Sequence, residues 1–312
     1  MAKAGTAPQI VAVGGGKGGV GKTLLATNLA LALADRGQRV LLVDADLGSA
    51  NAHTVLGVPA PAATLSDFLE RKADLGALAV STPYANLRFV SGALDDVGAA
   101  NPQHQSKMRL LRKLSGFDAD FLVLDLGAGT GFNTLDFFLI ASCGILVVLP
   151  EPTSVENAYR FLKAAFFRRL AVVEKAFGIK DLVDEARAQK NRLNIRTPAD
   201  LLRAVAERDP EVGAQVQEQM GRFQPRLVLN QARDEGGADD LQIAHDMASA
   251  CRRFLGINLE VFGALPEDDA VRRAVRLRQP LRVSAPDCPV KRAIDDVAER
   301  VMRLEAVEEA AA

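Results

Sequence analysis

Short apolar runs alternate with helix-like stretches along most of this chain. Continuous apolar runs are typical of parallel strands that are buried on both faces of a sheet. Between the first two runs, apolar residues recur at helical spacing over Leu24–Asp35, and Gly37 follows as a stop signal. The pattern therefore predicts an α/β fold with a doubly wound, mostly parallel sheet that is flanked by helices. The seven predicted strands are Ile10–Val13, Val40–Val43, Leu87–Val90, Phe121–Leu124, Ile145–Leu149, Arg226–Leu229 and Val261–Leu265.

The stretch 154–230 interrupts this alternation, because it is far longer than a single crossover helix needs. Apolar residues between 166 and 177 recur at the spacing of an amphipathic helix. The pair Thr197–Pro198 has the composition of a later helix start. We therefore predict a single domain over residues 1–312 with a helical insertion at 160–225.

Composition excludes several classes of protein. With a net charge of −1, the chain of 312 residues carries no global field that would attract nucleic acid or an anionic membrane. Its three cysteines form no C-x-x-C pair, which argues against a structural zinc site, a thiolate-held cluster and a disulfide scaffold. The apolar run at Ile10 is far shorter than a signal or membrane segment, so we expect a cytoplasmic protein.

A glycine-rich loop, GGGKGGVGKT at residues 14–23, lies between the first predicted strand and the first predicted helix. It matches G-x-x-x-x-G-K-[ST], the pattern in which backbone amides surround a β-phosphate at a helix N-terminus. In that pattern Lys22 reaches the β- and γ-phosphates and the Thr23 hydroxyl binds Mg²⁺. The sequence therefore predicts a nucleotide site with Mg²⁺. Its expected phosphate-binding residues are Gly16, Lys17, Gly18, Gly19, Val20, Gly21, Lys22, Thr23 and Leu24.

Acidic residues end two further predicted strands. Asp125 closes the run FLVLD, as a Walker-B carboxylate near Mg²⁺ does. Asp44 and Asp46 follow the second strand two residues apart, so one carboxylate can face the metal while the other lies on a loop. Because parallel strands bind ligands at their carboxyl ends, we expect these clusters to converge on the phosphate loop.

Four segments carry a family resemblance: GGKGGVGKT, LLVDADLGSAN, VLDLGAG and LPEPTSVENAY. Together they resemble the deviant Walker-A ATPases of the MinD/ParA group, P-loop NTPases of the SIMIBI class. The PEPTS segment and the stretch GALPEDDAVRRAVRLRQPL are most similar to the FlhG branch, also called FleN or YlxH. The resemblance covers nearly the whole chain except 160–225. It implies a switch that dimerises with ATP, hydrolyses ATP slowly, and controls the placement or number of flagella or of a polar or motility assembly.

The resemblance also implies residue roles. Lys17 corresponds to the signature lysine that reaches the phosphates in the other subunit of a homodimer. Asp46 would orient or activate the attacking water, and Asp44 would join Thr23 and Asp125 in the Mg²⁺ shell. The implied γ-phosphate switch residues are Gly127 and Gly129. The implied adenine-binding residues are Asn230, whose amide would read the base edge, and Pro266 with Glu267, which would border the base.

Two segments bear on whether the protein binds membrane, DNA or a protein partner, and they leave this question open. The C-terminal stretch from Val290 is helical in pattern but acidic in its final third, so we expect it to pack on the domain rather than to bind membrane. An arginine run suits nonspecific DNA binding, as in ParA proteins, or a solvated surface near the nucleotide. A protein partner would dock on 160–225 or on the dimer surface, and recruitment to the pole, membrane or nucleoid stays open. The run comprises Arg272, Arg273, Arg276, Arg278 and Arg282.

Other functions fit the sequence less well. An iron–sulfur scaffold of the Mrp type needs a C-x-x-C pair, and a bacterial tyrosine kinase needs a tyrosine-rich tail, whereas only Tyr84 and Tyr159 are present. The switch motifs argue against an enzyme that phosphorylates a small substrate. A module that holds ATP but barely hydrolyses it remains an alternative to the ATPase.

Overall fold

A single eight-stranded sheet forms the centre of the molecule. The computed structural model describes residues 7–48, 50–92, 104–181, 196–233 and 238–311. The strands are β1 Gln9–Gly14, β2 Val40–Asp44, β3 Val80–Ser81, β4 Leu87–Val90, β5 Phe121–Asp125, β6 Cys143–Val148, β7 Arg226–Ala232 and β8 Glu260–Pro266. All seven predicted strands are present, six of them within two residues at each end and β7 three residues longer than predicted, and the two-residue strand β3 was not predicted.

The strand order is β3-β4-β2-β5-β1-β6-β7-β8, and every neighbouring pair is parallel except β3 with β4. Strands β5 and β6 follow each other in the chain but lie on opposite sides of β1. This reversal makes the carboxyl end of β1 a topological switch point, the place where such sheets bind ligands. The predicted doubly wound, mostly parallel sheet is confirmed.

Helices cover both faces of the sheet. They are α1 Lys22–Asp35, α2 Ala52–Leu56, α3 Leu65–Leu69, α4 Leu75–Leu78, α5 His104–Ser115, α6 Phe132–Leu139, α7 Pro152–Phe177, α8 Pro198–Arg208, α9 Pro210–Gly221, α10 Ala238–Ala250 with a π-helical turn Cys251–Leu255, α11 Asp269–Leu277, α12 Leu281–Ser284 and α13 Pro289–Ala311.

Alternate residues of each strand point into two separate cores. In β1, Val11 and Val13 pack with α1 and α13, whereas Ile10 and Ala12 belong to the core on the other face. All four side chains are buried. Burial on both faces explains why the strands are apolar throughout rather than alternating in polarity.

The described part of the segment between β6 and β7 is mostly helical. Helix α7 begins at Pro152, so the predicted boundary at residue 160 falls inside a continuous helix. Thr197 caps α8, and its side chain accepts a hydrogen bond from the amide of Asp200, as the sequence pattern predicts. Residues 182–195 of the predicted insertion lie outside the described residues. The assignment of 160–225 as an insertion stays a prediction.

The C-terminal helix α13 packs on the domain through its apolar face. Val290, Ile294 and Val301 are buried in the core that contains α1. Arg36 at the end of α1 also forms an ion pair with Asp295, at 3.4 Å. Among the described residues, no helix has the length and apolar content that are needed to cross a membrane.

One carboxylate joins three helices on the opposite face. Asp136 of α6 accepts hydrogen bonds from Arg168 of α7, whose Nε lies 2.7 Å from Oδ1, and from the buried Lys107 of α5. Burial alone would raise the pKa of Asp136, but these hydrogen bonds outweigh it and the pKa lies below its ordinary value. Asp136 therefore stabilises the fold in its ionised form.

We expect Asp136→Asn to lower the free energy of unfolding by about 2 kcal/mol, because Lys107 would remain buried without its counter-ion. The exposed pair Arg160–Glu156 provides a matched control, and Glu156→Gln should change stability by less than about 0.5 kcal/mol. Urea denaturation at pH 7 measures both variants.

The effect should also depend on pH. Since the folded pKa of Asp136 is lowered, its contribution to the free energy of unfolding is present above the unfolded pKa and is lost as the pH falls through the folded pKa. If the difference in the free energy of unfolding between wild type and Asp136→Asn did not decrease in acid, this explanation would be contradicted.

Candidate functional site

The glycine-rich loop connects β1 directly to the N-terminus of α1. Gly21 is the N-cap of α1, and no side chain caps the first turn of this helix. The free amides of an uncapped helix start, together with the positive end of the helix dipole, form an anion site. The loop therefore has the backbone geometry of a phosphate cradle at the switch point of the sheet.

At two positions of the loop only glycine fits, because neighbouring groups approach the backbone too closely for a Cβ. At Gly21 φ is +98°, and an added Cβ would overlap the side-chain amide of Asn230. At Gly16 an added Cβ would overlap the backbone carbonyl of Asn157 in α7. The loop is therefore held between the end of β7 on one side and the first turns of α7 on the other.

Lys22 is buried beneath the loop. Its Nζ donates to the carbonyl oxygen of Lys17 at 3.3 Å. Burial lowers its pKa, and the nearby carboxylates of Asp125 and Asp46 oppose this change. A buried ammonium group that spans the loop is well placed for the charge of a bound phosphate.

Two buried carboxylates lie side by side at the ends of β2 and β5, where Asp44 and Asp125 are register partners. Burial raises the pKa of Asp44 to about 6, although it accepts hydrogen bonds from the amides of Ala52 at 2.9 Å and Asp46 at 3.1 Å. Burial also raises the pKa of Asp125 well above its ordinary range, and Asp44 adds to this effect. A bound cation would therefore stabilise the ionised forms of this pair.

The donor set around Asp125 fits Mg²⁺. Its Oδ1 is buried and accepts no hydrogen bond from any described residue, while the carboxylate also accepts the hydroxyl of Thr23. Within the described part of the chain, no cluster of three or more His, Cys, Asp or Glu residues forms a closed metal cage. Mg²⁺ suits such an open site, because it usually retains waters and phosphate oxygens as ligands. Each oxygen of Asp44 accepts one backbone amide, and its place in the Mg²⁺ shell stays a prediction.

The predicted switch loop lies against Asp46. An added Cβ at Gly127 would be 3.1 Å from Cγ of Asp46. The amide of Gly129 donates to the carbonyl of Gly15 at 3.3 Å, so this loop is also tied to the phosphate loop. Three predicted elements (the glycine-rich loop, the loop of Asp46 and the loop after β5) therefore meet at one place.

Lys17 points away from the buried cluster. Its side chain is 45% exposed, and its Nζ lies 4.0 Å from a carboxylate oxygen of Glu151, which is 49% exposed. An exposed pair at this distance contributes at most about 1 kcal/mol. Lys17 is thus weakly held on the outer side of the loop. The sequence did not single out Glu151, although its place in the PEPTS segment was a signal.

The three predicted adenine residues line one cavity of about 230 Å³. The Nδ2 of Asn230 donates to the carbonyl oxygen of Val20 at 2.8 Å, so this side chain also supports the phosphate loop. An adenine contact through Asn230 stays a prediction, because its amide still has a second N–H and a carbonyl oxygen. Sequence reasoning missed Gln231, Asp268, Val271 and Val275, which also line the cavity.

The arginine run divides into paired and unpaired members. Arg272 pairs with Glu267 and Asp269, and Arg282 pairs with Asp35 of α1. The other three members form no ion pair with any described residue, and all three are exposed: Arg273, Arg276 and Arg278. These three are available to meet an anionic surface, and Arg272, whose side chain is 75% exposed, is held only by long, exposed ion pairs.

Comparison with known proteins agrees with this geometry. The model of the CobQ/CobB/MinD/ParA nucleotide binding domain matches residues 11–281. The antiactivator FleN of Pseudomonas aeruginosa is 31% identical over 296 residues, which cover 94% of this chain and 86% of FleN. The flagellum site-determining protein YlxH of Helicobacter pylori is 30% identical over 165 residues, which cover 50% of this chain and 53% of that protein. The fold is similar to that of the septum site-determining protein MinD from Pyrococcus horikoshii, solved in complex with Mg-ADP, with a TM-score of 0.65, 22% identity, and coverage of 96% of this chain and 98% of that one.

Loop glycines offer a direct test of the geometry. We expect Gly16→Ala to destabilise the nucleotide-free protein by about 2 kcal/mol, because its Cβ meets the backbone of α7. Gly18→Ala is the matched control, since an added Cβ there meets no atom within 4 Å. Thermal unfolding without nucleotide measures both. Equal melting temperatures for the two variants would contradict the close approach of the loop to α7.

Proposed function

The chain belongs to the CobQ/CobB/MinD/ParA nucleotide-binding family, and from this membership we propose that it is an ATPase whose ATP-bound state is a homodimeric switch. The supporting observation is that the two lysines of the loop differ in exposure. Lys22 is buried below the loop, whereas Lys17 is exposed on its outer side. One lysine can serve the nucleotide of its own subunit, and the other is free to serve a nucleotide held by a second subunit.

Nucleotide binding would use groups that are already in place. The uncapped amides at the start of α1 and the Lys22 ammonium group hold the phosphates, and the cavity beside Pro266 holds the base. Thr23 and the orphaned Oδ1 of Asp125 would hold Mg²⁺, which neutralises phosphate charge when bound. Asp44 supports this arrangement from behind by fixing the amides of Asp46 and Ala52.

Hydrolysis would depend on a second copy. Asp46 lies on a loop beside Gly127, where its carboxylate can orient a water toward the γ-phosphate. The partner subunit's Lys17 would then add positive charge to the transition state, as an arginine finger does. Because this charge arrives only in the dimer, the monomer hydrolyses ATP slowly and the bound ATP sets the lifetime of the dimer.

The cellular role we propose is control of the number or placement of flagella, or of a polar or motility assembly of similar kind. FleN is an antiactivator and YlxH determines flagellum sites, and FleN matches 94% of this chain. The dimer would then be the form that binds a protein partner. This role is tested by counting flagella per cell in a deletion strain that expresses either the wild type or a variant unable to dimerise.

A ParA-like role on DNA is the second candidate, and the three unpaired arginines Arg273, Arg276 and Arg278 favour it. Phosphate contacts of this kind are independent of sequence and weaken steeply with salt. Binding of duplex DNA by the ATP-bound dimer at low salt, lost on replacement of these arginines, would favour this role over the flagellar one.

We expect Lys17→Ala to bind ATP as the wild type does. Its rate of dimer-dependent hydrolysis should be lower by about 10³-fold, the lower end of the range for removing an arginine finger. The control is Lys163→Ala, which removes another exposed lysine, on α7. Turnover measured across a range of protein concentrations separates dimer-dependent from monomer activity. Wild-type turnover in the Lys17 variant would show that this lysine is only a solvated loop charge.

We expect Asp46→Ala to accumulate as an ATP-bound dimer, because ATP still binds while the water is no longer oriented. Turnover should fall by at least about 100-fold, the range for loss of general acid–base catalysis. Gel filtration with ATP and Mg²⁺ measures the dimer, and Asp287→Ala, which removes an exposed carboxylate outside the site, provides the control. Elution of the Asp46 variant solely as a monomer would refute the role assigned to Asp46.

A further inference from the structure

Helix α2 is held by hydrogen bonds at both of its ends. At its start, the amide of Ala52 donates to Oδ2 of Asp44 at 2.9 Å. At its end, the hydroxyl of Tyr84 donates to the carbonyl oxygen of Leu56 at 3.0 Å. The side chains of Ala52 and Leu56 are fully buried. This helix of five residues therefore connects a buried carboxylate of the candidate metal site to a fixed point elsewhere on the domain.

The residue that follows α2 meets the backbone of another helix end. Gly57 is the C-cap of α2 and has a φ of +74°, a conformation that favours glycine. A Cβ added at Gly57 would lie 2.5 Å from the carbonyl oxygen of Arg278, the C-cap of α11. Because this neighbour is backbone, it could not move aside as the end of a flexible side chain can. The ends of α2 and α11 are therefore in direct contact, and an alanine at position 57 would separate them.

Helix α11 is the better fixed of the two helices. The chain just beyond it is tied to α1, since the amide of Leu281 donates to Oδ1 of the buried Asn28 at 3.0 Å. Arg282 also donates to the carbonyl oxygen of Leu31 in α1, at 3.0 Å. Val275 of α11 lines the candidate base cavity, so α11 is part of the nucleotide site. A Cβ at position 57 would therefore displace the five-residue α2 rather than α11.

We propose that Gly57 is a positioning residue for the Mg²⁺–nucleotide site. By allowing α2 to rest against α11, it sets the place of the Ala52 amide, and this amide holds the carboxylate of Asp44. This inference rests on the proposed function, in which Asp44 supports the groups that hold Mg²⁺. Gly57 and Asp44 lie at opposite ends of α2, so the effect passes through the helix. Gly57 should therefore influence the binding of nucleotide with Mg²⁺ and leave the binding of nucleotide alone unaffected.

The test is isothermal titration calorimetry of Gly57→Ala with ADP, once with Mg²⁺ and once with EDTA. We expect the ADP affinity in EDTA to equal that of the wild type, because the phosphate loop and the base cavity are unchanged. The factor by which Mg²⁺ increases the ADP affinity should be smaller by at least about fivefold, the low end of the range for coupling between two sites.

Gly37→Ala is the matched control. Gly37 also follows a helix and has a φ of +84°, but a Cβ added there meets no atom within 4 Å. The control thus carries the same backbone cost without the overlap, and it should keep the wild-type response to Mg²⁺.

Tyr84→Phe tests the same helix without any overlap. It removes only the hydroxyl that binds the Leu56 carbonyl. We expect the response to Mg²⁺ to fall in the same direction as in Gly57→Ala. If Gly57→Ala did not fold, an unchanged response in Tyr84→Phe would overturn the proposal, and a reduced one would support it.

The outcomes separate this inference from the proposed function. A wild type whose ADP affinity did not increase with Mg²⁺ would overturn both. An increase in the wild type that is unchanged in Gly57→Ala would overturn the positioning role alone. A parallel fall of ADP affinity with and without Mg²⁺, or an equal effect in Gly37→Ala, would also overturn it, because a general structural effect would then explain the result. A reduced response to Mg²⁺ in Gly57→Ala alone, with ADP binding in EDTA intact, would support it.

Discussion

Burial of two like charges at adjacent strand ends is the constraint around which the nucleotide site is organised. Asp44 and Asp125 are both buried, and both have raised pKa values in the ion-free protein. Such a pair persists only where other groups offset the desolvation of the charged forms. Backbone amides serve Asp44, and the Lys22 ammonium and the Thr23 hydroxyl serve Asp125, one oxygen of which has no hydrogen-bond partner among the described residues. The fold therefore places two carboxylates where a bound cation would stabilise both.

The same buried pair also holds the neighbouring loops through direct contacts. The amide of Ala52 begins α2 and binds Asp44, so this helix is attached to the buried pair. On the other side, the backbone of Ala45 donates to the carbonyl of Asp125 at 2.8 Å, and Gly127 lies against Asp46. A change in charge at the centre thus reaches both loops through direct contacts. No long pathway is needed to connect the phosphates with the outer surface.

Much of this arrangement could be predicted because it depends on local patterns. The strands follow from their apolar runs, and the loop from its glycine spacing. Strand β3 was missed because it has only two residues, both exposed, and pairs antiparallel at the sheet edge, where no apolar run is required. The hydrogen bond from Asn230 to Val20 joins residues that are 210 positions apart, so no local signal could show it.

The contacts of the phosphate loop have a thermodynamic consequence for the region between β6 and β7. The first turns of α7 meet the loop where Gly16 abuts Asn157, and β7, which follows the region, meets it where Asn230 binds Val20. A change in the loop would therefore act on the start of this region and on the strand that follows it. By linkage, any molecule that binds the segment better in one loop arrangement alters nucleotide affinity by the same factor by which the nucleotide alters its own. A molecule that binds α7 to α9 with such a preference would be linked to the nucleotide reciprocally.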